Sequence, residues 1–99
     1  MKLVYSEQAL ISMEETLDFL AKNVTNAKLI AISDRISDTI KVLLNQPFIG
    51  QEEPLLQNLG SGHRRLIVGH CMIIYKIVGD IIYITDIFDS RQDPDKMKG

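Results

Sequence analysis

The chain has one cysteine, no tryptophan, three prolines and no large excess of charge of either sign. A single cysteine cannot close an internal disulfide, which points to a reducing compartment. Cys71 lies beside Met72, Ile73 and Ile74, where a small buried hydrophobe is expected rather than a nucleophile. No run of about 18 apolar residues is present, so no membrane-spanning helix is expected. Met1 to Tyr5 passes into a polar, acidic stretch before the apolar centre of a signal peptide can form. The expected location is cytoplasmic. Phosphate loops are missing too, because Gly60-Ser61-Gly62 has neither a strand before it nor a helix after it. The two histidines and the cysteine show no ligand spacing, so neither metal nor cofactor is expected.

What is there suits one small domain. Ninety-nine residues, 45% apolar and 24% charged, cannot be divided into two cores. The net charge of −2 argues against broad, nonspecific attraction to nucleic acid. Residues 1–61 carry five Lys/Arg against eight Asp/Glu, and residues 62–99 carry six against five. An anion-facing surface is therefore expected to be local and to lie in the C-terminal half.

Residues 2–5 read as a short strand ended by Ser6, which also suits a helix N-cap. Leu10, Met13, Leu17 and Leu20 recur at helical spacing, and the first helix is expected over about 7–22. Asn23, Thr25 and Asn26 break the pattern. Leu29, Ile32, Ile36, Ile40 and Leu43 then form the stripe of a second helix over about 27–44. So short a break makes the pair an antiparallel helical hairpin. Residues 45–62 contain Pro47, Gly50, Pro54, Gly60 and Gly62 and read as a loop. Phe48, Ile49, Leu55, Leu56 and Leu59 are expected to pin this loop to the body. Three β-branched segments follow, at about 64–69, 71–78 and 81–88, with Gly79-Asp80 as a hairpin turn. Residues 89–99 read as a polar tail. The expected fold is α+β, with a short N-terminal strand, a helical hairpin and a three-stranded antiparallel sheet.

Strict alternation assigns Cys71, Ile73, Tyr75 and Ile77 to one face of the second segment, and Met72, Ile74, Lys76 and Val78 to the other. In the third segment it separates Ile81, Tyr83, Thr85 and Ile87 from Ile82, Ile84, Asp86 and Phe88. Both faces are apolar, yet one hairpin covers one face. Either the loop and tail fold over the second face, or it is a groove for a partner helix or strand. Met72, Ile74, Ile82, Ile84 and Phe88 are the candidate partner contacts, with a homo-oligomer as the outcome when no partner is present.

The order of parts resembles the RelE/ParE toxins. Val4-Tyr5-Ser6-Glu7-Gln8-Ala9 is similar to that family's entry into its first helix. Arg64 to Gly69 followed by Met72 to Ile77 resembles its central hairpin, and Ile84 to Phe88 followed by Arg91-Gln92-Asp93-Pro94 resembles its ending. The resemblance implies the toxin of a two-gene module, silenced by a cognate antitoxin. RelE-like members cut messenger RNA on the ribosome, whereas ParE-like members inhibit DNA gyrase.

Metal-independent RNA cleavage requires cations at the scissile phosphate and a tuned acid and base. His63, Arg65 and Arg91 are the catalytic candidates, and His70 is a further possible acid or base. By resemblance, Arg91 matches the basic residue after the last strand and Arg65 a usual Lys or Arg. Met72 stands where the RelE type has an arginine, and Met97 where it has a tyrosine. The incomplete set, the overall acidity and the ParE-like ending Arg91-Gln92-Asp93-Pro94 favour the ParE type, with Arg64, Arg65 and Arg91 as target contacts. The alternatives are a RelE-like endoribonuclease and a non-toxic binding module. Asp86 and Asp89 are expected to solvate strand ends.

Overall fold

A computed structural model describes residues 1–52 and 62–91 of the chain. The elements in order are β1 (Lys2–Tyr5), α1 (Glu7–Ala21), α2 (Asn26–Val42), β2 (Gln51–Glu52), β3 (Arg64–Val68), β4 (Cys71–Val78) and β5 (Ile81–Asp89). Both helices begin as their sequence suggests. Ser6 Oγ accepts the Ala9 N–H at 3.0 Å, and Thr25 Oγ1 accepts the Lys28 N–H at 3.2 Å. Each cap satisfies a backbone donor that the first turn leaves without a helical partner.

The sheet has five strands, in the order β1-β5-β4-β3-β2, rather than the three expected. β1 adds parallel to β5, with Lys2 N–H donating to Asp80 O at 2.8 Å and Ser6 N–H to Ile84 O at 2.9 Å. A parallel neighbour needs a crossover connection, and the intervening hairpin and strands provide it. β2 is a two-residue edge strand against Arg64 and Arg65. No apolar pattern marks so short a strand.

The β3–β4 and β4–β5 connections each place glycine first and a larger residue second. Gly69 has φ +61° and Gly79 has φ +61°. A II′-like turn requires positive φ at that first position, which glycine adopts without steric cost. β3 therefore ends at Val68, with Gly69 in the turn.

A β-bulge interrupts the β4–β5 ladder, pairing Ile74 with Asp86 but Tyr75 with Ile84 and leaving Thr85 as the extra residue. The Ser6 hydroxyl donates to Thr85 O, and the Thr85 hydroxyl donates to Ile74 O, both at 3.4 Å. The bulge reverses the phase of side chains along β5. Ile82, Ile84 and Ile87 thus share the hairpin side with Ile73 and Tyr75, all at 0% exposure. Asp86 and Phe88 fall on the opposite side, with Met72 and Ile74.

The α2 stripe is as expected, with Ile36, Ile40 and Leu43 buried and Leu29 and Ile32 packed against them. In α1 the buried face instead runs through Ala9, Ser12, Thr16 and Leu20, while Leu10 is 51% exposed. Small residues let α1 approach β5, and the Thr16 hydroxyl donates to Ile87 O at 3.0 Å. Hydropathy spacing cannot show this rotation, because a threonine with a buried acceptor behaves as a core residue. Among the described residues no helix is long and apolar enough to cross a membrane.

Candidate functional site

Arg91 lies two residues past Asp89, the last residue of β5, and its guanidinium turns back on Asp89. Nε–H donates to Asp89 Oδ1 at 2.9 Å, Nη2–H donates to Oδ2 at 2.8 Å, and the Arg91 backbone N–H donates to Oδ1 at 2.8 Å. The Asp89 side chain is fully buried, while that of Arg91 is about half exposed. These hydrogen bonds hold the Asp89 carboxyl below the usual carboxylate range against the opposing effect of burial. The expectation that Asp89 merely solvates a strand end is therefore corrected. Asp86 is buried as well, and its Oδ1 accepts the Ile87 N–H at 3.1 Å.

Arg64 belongs to a separate corner. It pairs with Tyr75 across β3–β4, on the hairpin side. Its Nη1–H donates to Gly50 O at 2.7 Å, and its guanidinium lies 5.1 Å from the centre of the Phe48 ring. The Tyr75 hydroxyl donates to Pro47 O at 2.8 Å and accepts the Gly50 N–H at 2.9 Å. Burial pushes the Tyr75 hydroxyl's pKa up, with the Gly50 hydrogen bond and the Arg64 charge acting the other way. Phe48 and Ile49 remain 66% and 49% exposed, so they do not pin the loop as expected. Leu55, Leu56 and Leu59 lie outside the described residues, as does Met97.

Arg65 takes the opposite face, because it pairs with Ile74, which in turn pairs with Asp86. Adjacent strand residues point to opposite sides, so Arg64 and Arg65 cannot serve one surface. His63 is 4% exposed, and His70 sits exposed in the β3–β4 turn. The basic candidates are consequently spread over three places: the Arg64 corner, the Arg65 face, and the β5 end with Arg91.

The five candidate partner contacts divide in the same way. Met72, Ile74 and Phe88 form a cluster on the face away from the hairpin. Ile82 and Ile84 are fully buried under the hairpin, and a partner docking on the folded chain cannot reach them. The bulge is the cause, since strict alternation had put all five together. The second face is not a bare groove: Ile74 and Phe88 are buried at 0% and 6%, while Val4, Ile67 and Val78 are exposed around it. Of the expected cover, loop 45–62 and tail 89–99, residues 53–61 and 92–99 lie outside the described residues.

Burial and the Asp89 charge push the Cys71 thiol pKa up, against a smaller opposite effect of Arg91. A raised pKa suits a core thiol and not a nucleophile. No cluster of three potential metal-ligating side chains occurs among the described residues. The sequence reading missed Asp89 as a partner for Arg91, and Tyr75 and Phe48 as partners for the Arg64 corner. The Asp-x-Arg spacing of Asp89 and Arg91 is the one local signal that pointed to the first.

A helical hairpin packed on one side of a mixed sheet, with basic residues at its loop ends, defines the architecture of the small RelE/ParE toxins. A family model described as the ParE toxin of the type II toxin-antitoxin system parDE matches residues 3–94. The chain belongs to this family. Among solved structures it is similar to the chromosomal ParDE toxin-antitoxin system from P. aeruginosa, with a TM-score of 0.69 and 19% identity over 90% of this chain and 95% of that one. That likeness is one of fold. No curated protein matches.

Proposed function

We propose that this chain is the toxin of a ParDE-type pair, that it acts by binding DNA gyrase without breaking a bond itself, and that a cognate antitoxin silences it. Membership in the ParE family supports the gyrase target. The observation that carries the binding reading is the dispersal of the basic side chains. Arg91 is clamped by Asp89, Arg64 is committed to Gly50 and Phe48, and Arg65 stands on the other face. A cleavage site needs its cations and proton carriers convergent on one phosphate. Arg65 is the target-contacting arginine best placed on a face away from the hairpin, and Met72, only partly buried there against Ile74 and Phe88, is the antitoxin contact.

The test is a supercoiling assay with purified gyrase and relaxed plasmid, run beside a ribosome-dependent mRNA cleavage assay. Dose-dependent loss of supercoiling with intact mRNA is expected. Cleavage of ribosome-bound mRNA with unimpaired gyrase would overturn the reading.

A further inference from the structure

A recess of about 140 Å³ opens between α1, α2 and the β3–β4 turn, next to Asp89 and Arg91. Its floor is apolar, made by Leu20, Ile32, Val68 and Cys71, and its rim carries Lys28, Arg35, His70 and Arg91. Among the described residues Asp89 is the sole carboxylate of the lining, and Arg91 engages both of its oxygens. Among the described residues, neither Lys28 nor Arg35 has a carboxylate partner. The rim is therefore locally cationic on a chain whose net charge is −2.

The α2 helix sets this geometry. Lys28, Ile32 and Arg35 recur at helical spacing, so the two cations flank the apolar residue on one face. Arg35 lies over the turn, with Nη1 4.0 Å from where a Cβ on Gly69 would stand. Glycine is favoured there by its positive φ, and a Cβ would meet the Arg35 guanidinium only at ordinary contact distance.

We propose that the recess receives a carboxylate carried on a short apolar body, supplied by an acidic segment of a protein partner. An apolar cavity of about 150 Å³ holds a group the size of benzene, so this recess takes one side chain. The guanidinium fork of Arg35 matches a carboxylate in two hydrogen bonds. The apolar floor takes the methylenes and disfavours a strongly hydrated phosphate. A ligand this small makes few contacts by itself, and a longer segment adds the remainder of its own. The site stands whatever macromolecule the toxin attacks.

The test is an NMR titration of the ¹⁵N-labelled full chain with the peptide acetyl-Ala-Leu-Glu-Leu-Ala-amide, its Gln counterpart, sodium butyrate and inorganic phosphate. Saturable shifts at Gly69, His70 and Cys71 are expected with the Glu peptide. Binding should fall at least tenfold for the Gln peptide and for Arg35→Gln or Lys28→Gln. Both substituted side chains are exposed, and an unchanged melting temperature verifies the fold. Equal binding of the Glu and Gln peptides, phosphate binding more tightly than the Glu peptide, or no shift with the Glu peptide would overturn the site. Butyrate binding as tightly as the Glu peptide would overturn the protein segment as its source.

Discussion

The Asp89 carboxylate holds the Arg91 guanidinium by both of its oxygens, at 2.9 and 2.8 Å, with the acid fully buried and the base half exposed. The two partners are consequently unequal when one is removed. Arg91→Ala leaves a buried carboxylate without its counter-charge, whereas Asp89→Asn leaves a guanidinium that water can solvate. Arg91→Ala is expected to lower the melting temperature more than Asp89→Asn, and the double variant should resemble Asp89→Asn. Differential scanning calorimetry of the three variants checks the order. Equal losses from the two single variants would contradict it.

The same pair sets a dependence on acid. The Asp89 pKa is held below its ordinary value of 3.8 by the Arg91 hydrogen bonds. A carboxyl depressed in the folded state contributes stability that is present above its unfolded pKa and lost as pH falls through the folded one. Wild-type protein should therefore lose stability more steeply than Asp89→Asn below about pH 4. Melting curves at descending pH test this, and parallel profiles would count against it.

Tyr75 and Gly50 provide a second test. A Cβ on Gly50 would stand 2.5 Å from the Tyr75 hydroxyl and 2.7 Å from Arg65 O. Gly50→Ala is expected to cost about 1–3 kcal/mol by overpacking. Tyr75→Phe removes the hydrogen bonds to Pro47 O and from the Gly50 N–H, at about 1–3 kcal/mol where buried groups lose their partners. Urea denaturation measures both.

The bulge at Thr85 predicts a sharp contrast among isoleucines. Ile84→Ala, at a position with 0% exposure, should cost about 2–5 kcal/mol by leaving a cavity. Ile67→Ala, at 63% exposure, should stay within about 0.5 kcal/mol. If strict alternation held instead, Ile84 would lie with Met72 and Phe88, and its truncation would weaken antitoxin binding rather than folding. Urea denaturation and antitoxin affinity, measured on each variant, separate the two.

Much of this fold is legible in the sequence. Ser6 and Thr25 announce the helix starts, the α2 stripe is written in its isoleucines, and Gly79-Asp80 marks a turn. The missing parts share a physical cause: each depends on a neighbour distant in sequence. Thr85 looks like any strand residue until its bulge shifts the phase of Ile82 and Ile84. Leu10 fits a helical stripe until Thr16 finds the Ile87 carbonyl and rotates α1. β1 was legible as a strand but not its place beside β5, and β2 is too short to carry a pattern, so that its pairing partner alone defines it. Of the candidate site, the basic residues were legible by type. Their separation required the pairings of Arg64 with Tyr75 and of Arg65 with Ile74.

The most direct measurement is pulse-labelling of DNA and protein synthesis in bacteria within minutes of inducing this chain alone, beside Arg65→Ala. DNA synthesis is expected to stop first, and Arg65→Ala should relieve the arrest while still binding antitoxin. Protein synthesis stopping first would contradict the gyrase reading, and no arrest from soluble protein would leave a non-toxic binding module in its place.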